Sequence, residues 1–307
     1  MVWSPKGPIH NHAAYKQQRW LIHFSPQSML RHGKDKVRIP PLYTAPERLG
    51  ASIFSKFFKR INTLIVMPED TLYADGSVGE DFTFNDRVAE VFDDMLSRSI
   101  PYYRSVIEGM AQLLNCRSPH GATIYDLGCS TGTTLLELSR RMPVGRYQYI
   151  GIDNAPAMLD KARKKSAMFG KADLLTFREE DITTCALPQA AAVICNYTMQ
   201  FLRPLTRHAF VQRIHAALPE DGLFFLSEKT ISHAKRLNRD FIDIYHAFKR
   251  QQGYSELEIA AKREALENVL IPFSLDENIN LLREAGFVEV EPYFQWFNFT
   301  TLVAIKG

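Results

Sequence analysis

The chain has 307 residues, of which 46% are hydrophobic, and a formal net charge of +3 at pH 7. A chain of this length and composition can bury a full core, which excludes an intrinsically disordered protein and predicts a soluble globular one. No apolar run approaches the roughly 18 residues of a membrane span, and the N-terminus lacks the pattern of a secretory leader, so we expect a cytoplasmic protein.

Charge is divided unevenly along the chain. Residues 1–66 contain 11 Lys or Arg and two acidic residues, whereas the remainder contains 26 basic and 32 acidic residues. Because an acidic body binds a phosphate backbone poorly, this balance disfavours direct action on nucleic acid.

Residues 1–66 are predicted to form a basic, poorly ordered extension. Apolar residues fall at helical spacing only between Ile53 and Ile61, where a short amphipathic helix would give a membrane-surface or partner-binding arm. We favour the alternative of a loosely ordered extension, which would be missing from the protein if the authentic start were Met67.

The cysteines and histidines do not follow the spacing of a metal site. The nine histidines are scattered, and no CxxC pair is formed by the four cysteines, Cys116, Cys129, Cys185 and Cys195. We therefore expect reduced thiols, with neither a zinc site nor a disulfide framework.

From about Ile124, short apolar runs alternate with helical patterns, which is typical of a doubly wound α/β sheet. Parallel strands are predicted at Ala122–Leu127, Tyr147–Ile152, Leu174–Phe177, Ala190–Cys195 and Leu223–Leu226. Helices are predicted at Thr133–Arg141, Pro156–Met168 and Leu205–Leu218. An antiparallel hairpin at the sheet edge is predicted from two last runs, Val288–Phe294 and Phe297–Ile305. The expected fold is Rossmann-like, with a seven-stranded, mainly parallel sheet.

The turn after the first predicted strand reads YDLGCSTG, from Tyr125 to Gly132. In an open α/β sheet this turn does most of the ligand binding. Gly128 and Gly132 permit a sharp turn and a close approach to a ligand, and Asp126 can accept a hydrogen bond from an ammonium group. A dinucleotide site would read GxGxxG, but Ser130 stands where the middle glycine would be.

Two further acidic residues follow the next predicted strands. Asp153 ends the second strand, where it can contact a ribose diol, and Asp181 ends the third, where an adenine amino group can be recognised. Together with Asp126, these acids favour a cationic nucleoside such as S-adenosylmethionine over a dinucleotide. The turn also has no basic residue nearby that could bind the phosphates of a dinucleotide. The alternative is that these acids only cap helices.

The sequence after the fourth predicted strand reads Asn196-Tyr-Thr-Met199. Enzymes that methylate nucleobase amines often carry an Asn-Pro-Pro-Tyr type of loop at this place, and the prolines are missing here. Asn196 is a candidate contact to the cofactor, and a plain turn asparagine is the alternative.

A helix is predicted to begin at Ser255, which forms a capping box with Glu258. Steps of four, three and four residues predict one stripe on this helix, made of Ile259, Arg263, Leu266 and Leu270. An arginine in an apolar stripe either reaches water from the helix edge or binds an anion. Beside a site for a sulfonium, we favour a bound carboxylate as the partner of Arg263.

At this point the sequence resembles the carboxy-S-adenosyl-L-methionine synthase family over about residues 67–307. The serine in the glycine turn belongs to that family's version of the loop. The segments that carry the resemblance are FTFNDRVAEVFDDMLSRSIPYY (82–103), YDLGCSTG (125–132), IDNAPAML (152–159), NYTMQFL (196–202), LSEK (226–229), FKRQQGYSELEI (248–259) and KREALENVL (262–270).

The resemblance implies a class I methyltransferase fold for residues 67–307, with a helical insertion at about residues 231–270. It implies an enzyme that converts S-adenosyl-L-methionine and prephenate into carboxy-S-adenosyl-L-methionine and phenylpyruvate. The product would be the carboxymethyl donor for modification of the tRNA wobble uridine. A homodimer is further implied, which passes its product to a tRNA carboxymethyltransferase and uses no metal ion.

Matched position by position, the resemblance also implies the residues of the site. Arg263 would hold the transferred carboxylate and is the catalytic residue. The cofactor contacts would be Tyr103, Gly128, Cys129, Ser130, Asp153, Asn154, Asp181, Ile182, Asn196 and Arg263.

Two other functions would use the same residues. An ordinary methyltransferase of a small carboxylate-bearing acceptor would share the loop, bind its acceptor through Arg263 and release S-adenosylhomocysteine. A non-catalytic S-adenosylmethionine-binding module would use the basic extension as a tether, but Arg263 is superfluous for binding alone.

Overall fold

The computed structural model describes residues 68–77 and 82–307. The predicted amphipathic helix at Ile53–Ile61, the rest of the N-terminal extension and the proposed start at Met67 lie outside the described residues.

One sheet of seven strands is present in the described residues. The strands are β1 (Thr123–Leu127), β2 (Gln148–Asp153), β3 (Leu175–Glu179), β4 (Ala190–Asn196), β5 (Leu223–Lys229), β6 (Glu289–Trp296) and β7 (Phe299–Ile305). Their order is β3-β2-β1-β4-β5-β7-β6, and β7 runs antiparallel to both of its neighbours. The predicted mainly parallel sheet with a C-terminal hairpin is confirmed.

The helices alternate with the strands as the sequence pattern indicates. They are α1 (Asp86–Ser99), α2 (Tyr103–Arg117), α3 (Thr133–Arg141), α4 (Pro156–Met168), α5 (Pro204–Ala217), α6 (Lys235–Gln251), α7 (Glu256–Leu266) and α8 (Leu275–Glu284). Helices α3 and α4 have the predicted bounds, and α5 is shifted by one residue because Pro204 is already helical. Proline is favourable there, since the first helical turn needs no N–H donor from it.

The two central strands, β1 and β4, are buried almost along their whole length. Helices α2, α3 and α4 cover one face of the sheet, and α5 and α8 cover the other. Strands that are buried on both faces read as continuous apolar runs, which is why the sequence showed runs and no strict alternation.

The sheet topology determines where a ligand can bind. Strands β2 and β4 lie on opposite sides of β1, so the strand order reverses at β1. An open α/β sheet forms its ligand crevice at the carboxyl ends of the strands beside such a reversal. The turn YDLGCSTG leaves β1 at this place, and α3 begins directly after it at Thr133.

Helices α1 and α7 pack together beside this crevice. Val88 and Phe92 of α1 share a core with Ala265 of α7. A buried ionic contact reinforces the packing, because Lys262 of α7 donates a hydrogen bond to Asp70 with an Nζ–Oδ2 distance of 3.2 Å.

We expect Gly128→Ala to destabilise the protein more than Gly145→Ala, its matched control. Both glycines have a positive φ, +75° and +76°, so alanine at either position costs about 1 to 2 kcal/mol of backbone strain. A Cβ at Gly128 would lie 2.2 Å from Cγ2 of Thr198, whereas a Cβ at Gly145 meets nothing within 4 Å. Urea unfolding measures the stability of both variants. Equal losses of unfolding free energy would contradict the close approach of the Thr198 side chain to Gly128.

Candidate active site

A cavity of about 970 Å³ opens at the carboxyl ends of the strands, between the strand-end loops and helices α1, α6 and α7. Every residue that the family resemblance assigns to the site lines it, namely Tyr103, Gly128, Cys129, Ser130, Asp153, Asn154, Asp181, Ile182, Asn196 and Arg263. The fold therefore brings together residues that are spread over more than half of the sequence.

The turn after β1 has an unusual backbone at Ser130. Its φ is +48°, a conformation that costs a non-glycine residue energy, and it lies between two glycines with positive φ, Gly128 and Gly132. The backbone N–H of Ser130 donates to Oδ2 of Asp153 at 2.8 Å. This bond holds the strained turn against the end of β2 and fixes the position of the exposed backbone groups.

Asp126 is a buried carboxylate on β1, directly before this turn. Neither of its oxygens has a hydrogen-bond partner among the described residues. Burial, together with the charge of Asp153, raises the pKa of Asp126 to about 8. A cationic group would both pair with this carboxylate and lower its pKa again. Among the described groups, Asp126 is thus the clearest sign that the site accepts a cation.

Asp153 ends β2 and receives two backbone hydrogen bonds. Its Oδ1 accepts from the N–H of Ala155 at 3.0 Å, and its Oδ2 accepts from Ser130. Burial still raises its pKa. The residue does not cap α4, whose N-cap is Ala155 without a side-chain bond. Since each carboxylate oxygen has two lone pairs, Asp153 retains acceptor capacity for the hydroxyls of a ribose.

Asp181 differs from the other two acids, because it is exposed and lies beyond the end of β3 at Glu179. Its Oδ1 accepts bonds from the N–H and the hydroxyl of Thr183, both at 2.7 Å, which lower its pKa. The prediction that Asp181 ends the strand is wrong by two residues. The local turn leaves Oδ2 as the oxygen that can meet a ligand.

Tyr103, Thr134 and Asn196 form a polar cluster at the end of β4. The Tyr103 and Thr134 hydroxyls lie 3.1 Å apart, and Nδ2 of Asn196 donates to the Thr134 hydroxyl at 3.1 Å. Burial raises the pKa of Tyr103, so its phenol stays neutral. Oδ1 of Asn196 has no partner in the described part of the chain and can accept a bond from a ligand.

Two lysines that the sequence did not single out line another part of the cavity. Lys229 ends β5 and Lys249 lies in the last turn of α6. Their Nζ atoms are 5.1 and 4.8 Å from the ring centroid of Tyr245. Neither Nζ forms a hydrogen bond or ion pair with a described residue. Burial, with the charges of Lys262 and Lys229, lowers the pKa of Lys249 to about 7.

The predicted capping box of Ser255 and Glu258 is present at the start of α7. The predicted apolar stripe is wrong, because α7 ends at Leu266 and buries Lys262 while Arg263 is exposed. The alanines that pack α7 closely, Ala261 and Ala265, rotate its buried face away from Arg263. The Arg263 guanidinium forms no bond to a described residue and lines the cavity.

The remaining walls of the cavity are largely apolar. They include the rings of Phe82, Phe84, Phe92, Phe201 and Phe299. No group of three or more His, Cys, Asp or Glu is arranged to hold a metal ion in residues 68–77 and 82–307. Within the same residues no helix is both long and apolar enough to cross a bilayer. The cavity wall is therefore largely apolar, and it also carries Lys229, Lys249 and Arg263, whose charged groups bond to no described residue, while the unpartnered carboxylate of Asp126 lies directly before the lining residue Gly128 in the chain.

The sequence comparisons agree with this geometry. Residues 124–222 match the methyltransferase domain family. The chain is 57% identical over 238 residues to the carboxy-S-adenosyl-L-methionine synthase of Desulfotalea psychrophila, covering 78% of this chain and 97% of that protein. It is 47% identical to the protein of the same name from Wolinella succinogenes, covering 74% of this chain and 94% of that protein.

Solved structures show the same fold. A putative S-adenosylmethionine-dependent methyltransferase of Methanococcus maripaludis gives a TM-score of 0.52 at 17% identity, covering 75% of this chain and 97% of that chain. Human N-acetylserotonin methyltransferase in complex with SAM also gives 0.52, at 14% identity, covering 84% of this chain and 68% of that one. These likenesses establish the class I methyltransferase fold.

We expect Lys249→Met to stabilise the ligand-free protein by roughly 2 to 4 kcal/mol at pH 7. The pKa of Lys249 is lower in the folded chain, about 7 against 10.5. The unfolded chain therefore binds the proton more tightly, so the stability that neutral Lys249 gives above pH 10.5 decreases as the pH falls and is lost once the pH has passed through 7. The advantage of the variant should therefore shrink as the pH rises towards 10.5. Urea unfolding over this range tests it, with the exposed Lys164→Met as control, and a pH-independent difference would contradict it.

Proposed function

The chain belongs to the carboxy-S-adenosyl-L-methionine synthase family, and we propose that it converts S-adenosyl-L-methionine and prephenate into carboxy-S-adenosyl-L-methionine and phenylpyruvate. Two observations on the described residues carry the proposal together: the buried carboxylate of Asp126, next to the turn that lines the cavity at Gly128, and the guanidinium of Arg263 on the cavity wall both lack a bonding partner. A cationic sulfonium substrate and an anionic second substrate would each find a complementary charge there.

S-adenosylmethionine would be held as a substrate by the strand-end loops. Asp126 would attract the ammonium of its amino-acid end, and the backbone of Gly128 to Ser130 would follow its chain. Asp153 would bind the ribose diol, and Asp181 with Ile182 would contact the adenine. The orphaned oxygens of Asp126 and the free Oδ1 of Asn196 support this fit, because each buried acceptor then obtains a donor.

Arg263 would bind the carboxylate of the second substrate that is transferred. A bidentate, charge-assisted pair contributes roughly 1.5 to 3 kcal/mol and fixes the orientation of the carboxylate. The reaction balances if the carboxyl carbon bonds to the sulfonium methyl carbon while prephenate aromatises. The proton lost from the methyl group and the hydroxide lost from the ring then combine as water. The apolar rings around the site would keep bulk water away from the reacting carbon.

The proposed use of the product in tRNA modification follows from the family resemblance. The product would serve as carboxymethyl donor for the tRNA wobble uridine and pass to a tRNA carboxymethyltransferase. The enzyme itself would then need no contact with nucleic acid, consistent with the acidic balance of residues 67–307. We further propose that it acts as a cytoplasmic homodimer, which size-exclusion chromatography with light scattering would test.

Mass spectrometry of the small molecules released from the denatured protein tests the proposed reaction. We expect an adenosyl sulfonium heavier than S-adenosylmethionine by one carbon dioxide, because a closed site retains its product. Incubation with prephenate should increase this species and yield phenylpyruvate. Release of S-adenosylhomocysteine in its place would identify an ordinary methyltransferase.

We expect Arg263→Ala to abolish carboxyl transfer while leaving the affinity for S-adenosylmethionine within a few-fold. The variant removes the partner of the transferred carboxylate but no contact of the strand-end loops. Arg250→Ala is the matched control, because Arg250 is an exposed arginine near the end of α6 that pairs with Glu256 at 2.8 Å. Unchanged turnover in Arg263→Ala would remove Arg263 from the mechanism.

We expect Asp126→Asn to weaken S-adenosylmethionine binding by about 10- to 100-fold, since a charge-assisted bond to the ammonium is lost. The fold should be retained, because asparagine matches the shape of the protonated acid that the raised pKa of Asp126 favours below pH 8. Isothermal titration calorimetry measures the affinity, with the exposed Asp160→Asn as control. An unchanged affinity would show that Asp126 does not meet the ammonium.

A further inference from the structure

The buried lysines of the fold differ in their partners. Lys165 donates to Asp93 at 2.7 Å and Lys262 donates to Asp70 at 3.2 Å, so each has a carboxylate beside it. Lys249 is equally buried but has no carboxylate partner among the described residues. The charged or titratable groups around it are Lys229, Lys262, Asp70 and His246.

The nearby groups do not compensate for the buried charge of Lys249. Lys229 and Lys262 repel it, and Asp70 is already bonded to Lys262 and to the Tyr254 hydroxyl, the latter at 2.5 Å. The ring of Tyr245 attracts both Lys229 and Lys249, but a cation–π contact is weaker than a carboxylate partner. Because a buried ammonium without an anion is costly, an anionic ligand that enters the cavity would stabilise the charged form of Lys249.

The surroundings of the two lysines also favour a ring. The ring centroids of Tyr245 and Phe299 lie 4.9 Å apart in a tilted arrangement, and the ring of Phe299 in turn contacts that of Tyr197 edge-on, with 6.0 Å between the centroids. The two inner rings, of Tyr197 and Phe299, are buried and line the cavity. A ligand that carries a carboxylate next to an unsaturated ring would place its charge between the ammonium groups and its ring against this aromatic wall.

We propose that Lys229 and Lys249 bind the carboxylate that the second substrate retains, the 2-oxo acid end, while Arg263 binds the carboxylate that is transferred. This inference rests on the proposed function, in which the second substrate is a dicarboxylate and only one of its carboxylates leaves. The two lysines are then specificity-determining residues for an aromatic or cyclohexadienyl 2-oxo acid. Phenylpyruvate, which keeps this carboxylate, binds to the same place.

Steady-state kinetics of the full chain at saturating S-adenosylmethionine test the assignment. In Lys229→Met and in Lys249→Met we expect the KM for prephenate to rise about tenfold or more, with a much smaller change in kcat. The affinity for S-adenosylmethionine should stay within about threefold, because the assignment places both lysines against the second substrate. Lys235→Met, an exposed lysine at the start of α6, is the matched control.

A ligand-side comparison keeps the test independent of any one variant. The unmodified enzyme should bind phenylpyruvate at least about tenfold more tightly than its methyl ester, which lacks the charge. In Lys249→Met the two ligands should bind with nearly equal affinity. This double difference isolates the contact between carboxylate and lysine from general effects of the substitution on the fold.

Each other outcome would overturn the assignment. Turnover by the unmodified enzyme with an unchanged KM in both variants would remove the lysines from substrate recognition and leave the proposed function intact. A selective loss of S-adenosylmethionine affinity would assign the lysines to the carboxylate of that molecule. Absence of carboxyl transfer in the unmodified enzyme would overturn the proposed function, and this assignment with it.

Discussion

Buried charge without a local partner is the constraint on which this cavity depends. Within the described residues, Asp126 has no donor for either oxygen and Lys249 has no carboxylate. Each group is costly in the ligand-free protein, and burial moves the pKa of each towards neutrality, to about 8 and about 7. Ligands of opposite charge remove both costs, so binding and stability are coupled through the same side chains.

Paired buried charges, by contrast, hold the walls in place. Asp93 of α1 accepts bonds from Lys165 of α4 and from the hydroxyls of Thr131 and Thr133 in the glycine turn and at the start of α3, at 2.7 to 2.9 Å. Such a pair is costly to break, because removal of one partner leaves the charge of the other buried and unpaired. The glycine turn is thus fixed from both sides, by Asp153 on β2 and by Asp93 on α1, which allows Ser130 to keep its strained backbone.

The sequence was sufficient for the sheet, since apolar runs and helical periods are local signals, and the glycine turn identified the binding edge. It was not sufficient for the basic part of the site. Lys229 is the last residue of an apolar strand and Lys249 lies in a charged helix, and neither position is unusual alone. Their juxtaposition on Tyr245 arises from the packing of α6 against the sheet. The predicted apolar stripe through Arg263 was wrong for the same reason, because tertiary packing at Ala265 buries a different face of α7.

The positive charge of Lys229, Lys249 and Arg263 on the cavity wall also bears on which reaction the site favours. A methyl acceptor must offer electron density to the sulfonium, and a carboxylate that pairs with Arg263, or with Lys229 and Lys249, would be a weakened nucleophile. The same cations do not hinder carboxyl transfer, since the carbon that moves is a carboxylate both before and after the reaction. In the proposed reaction Arg263 would therefore hold this carboxylate in substrate and product alike. A site that presents cations where a methyl acceptor would lie therefore suits carboxyl transfer better than methyl transfer.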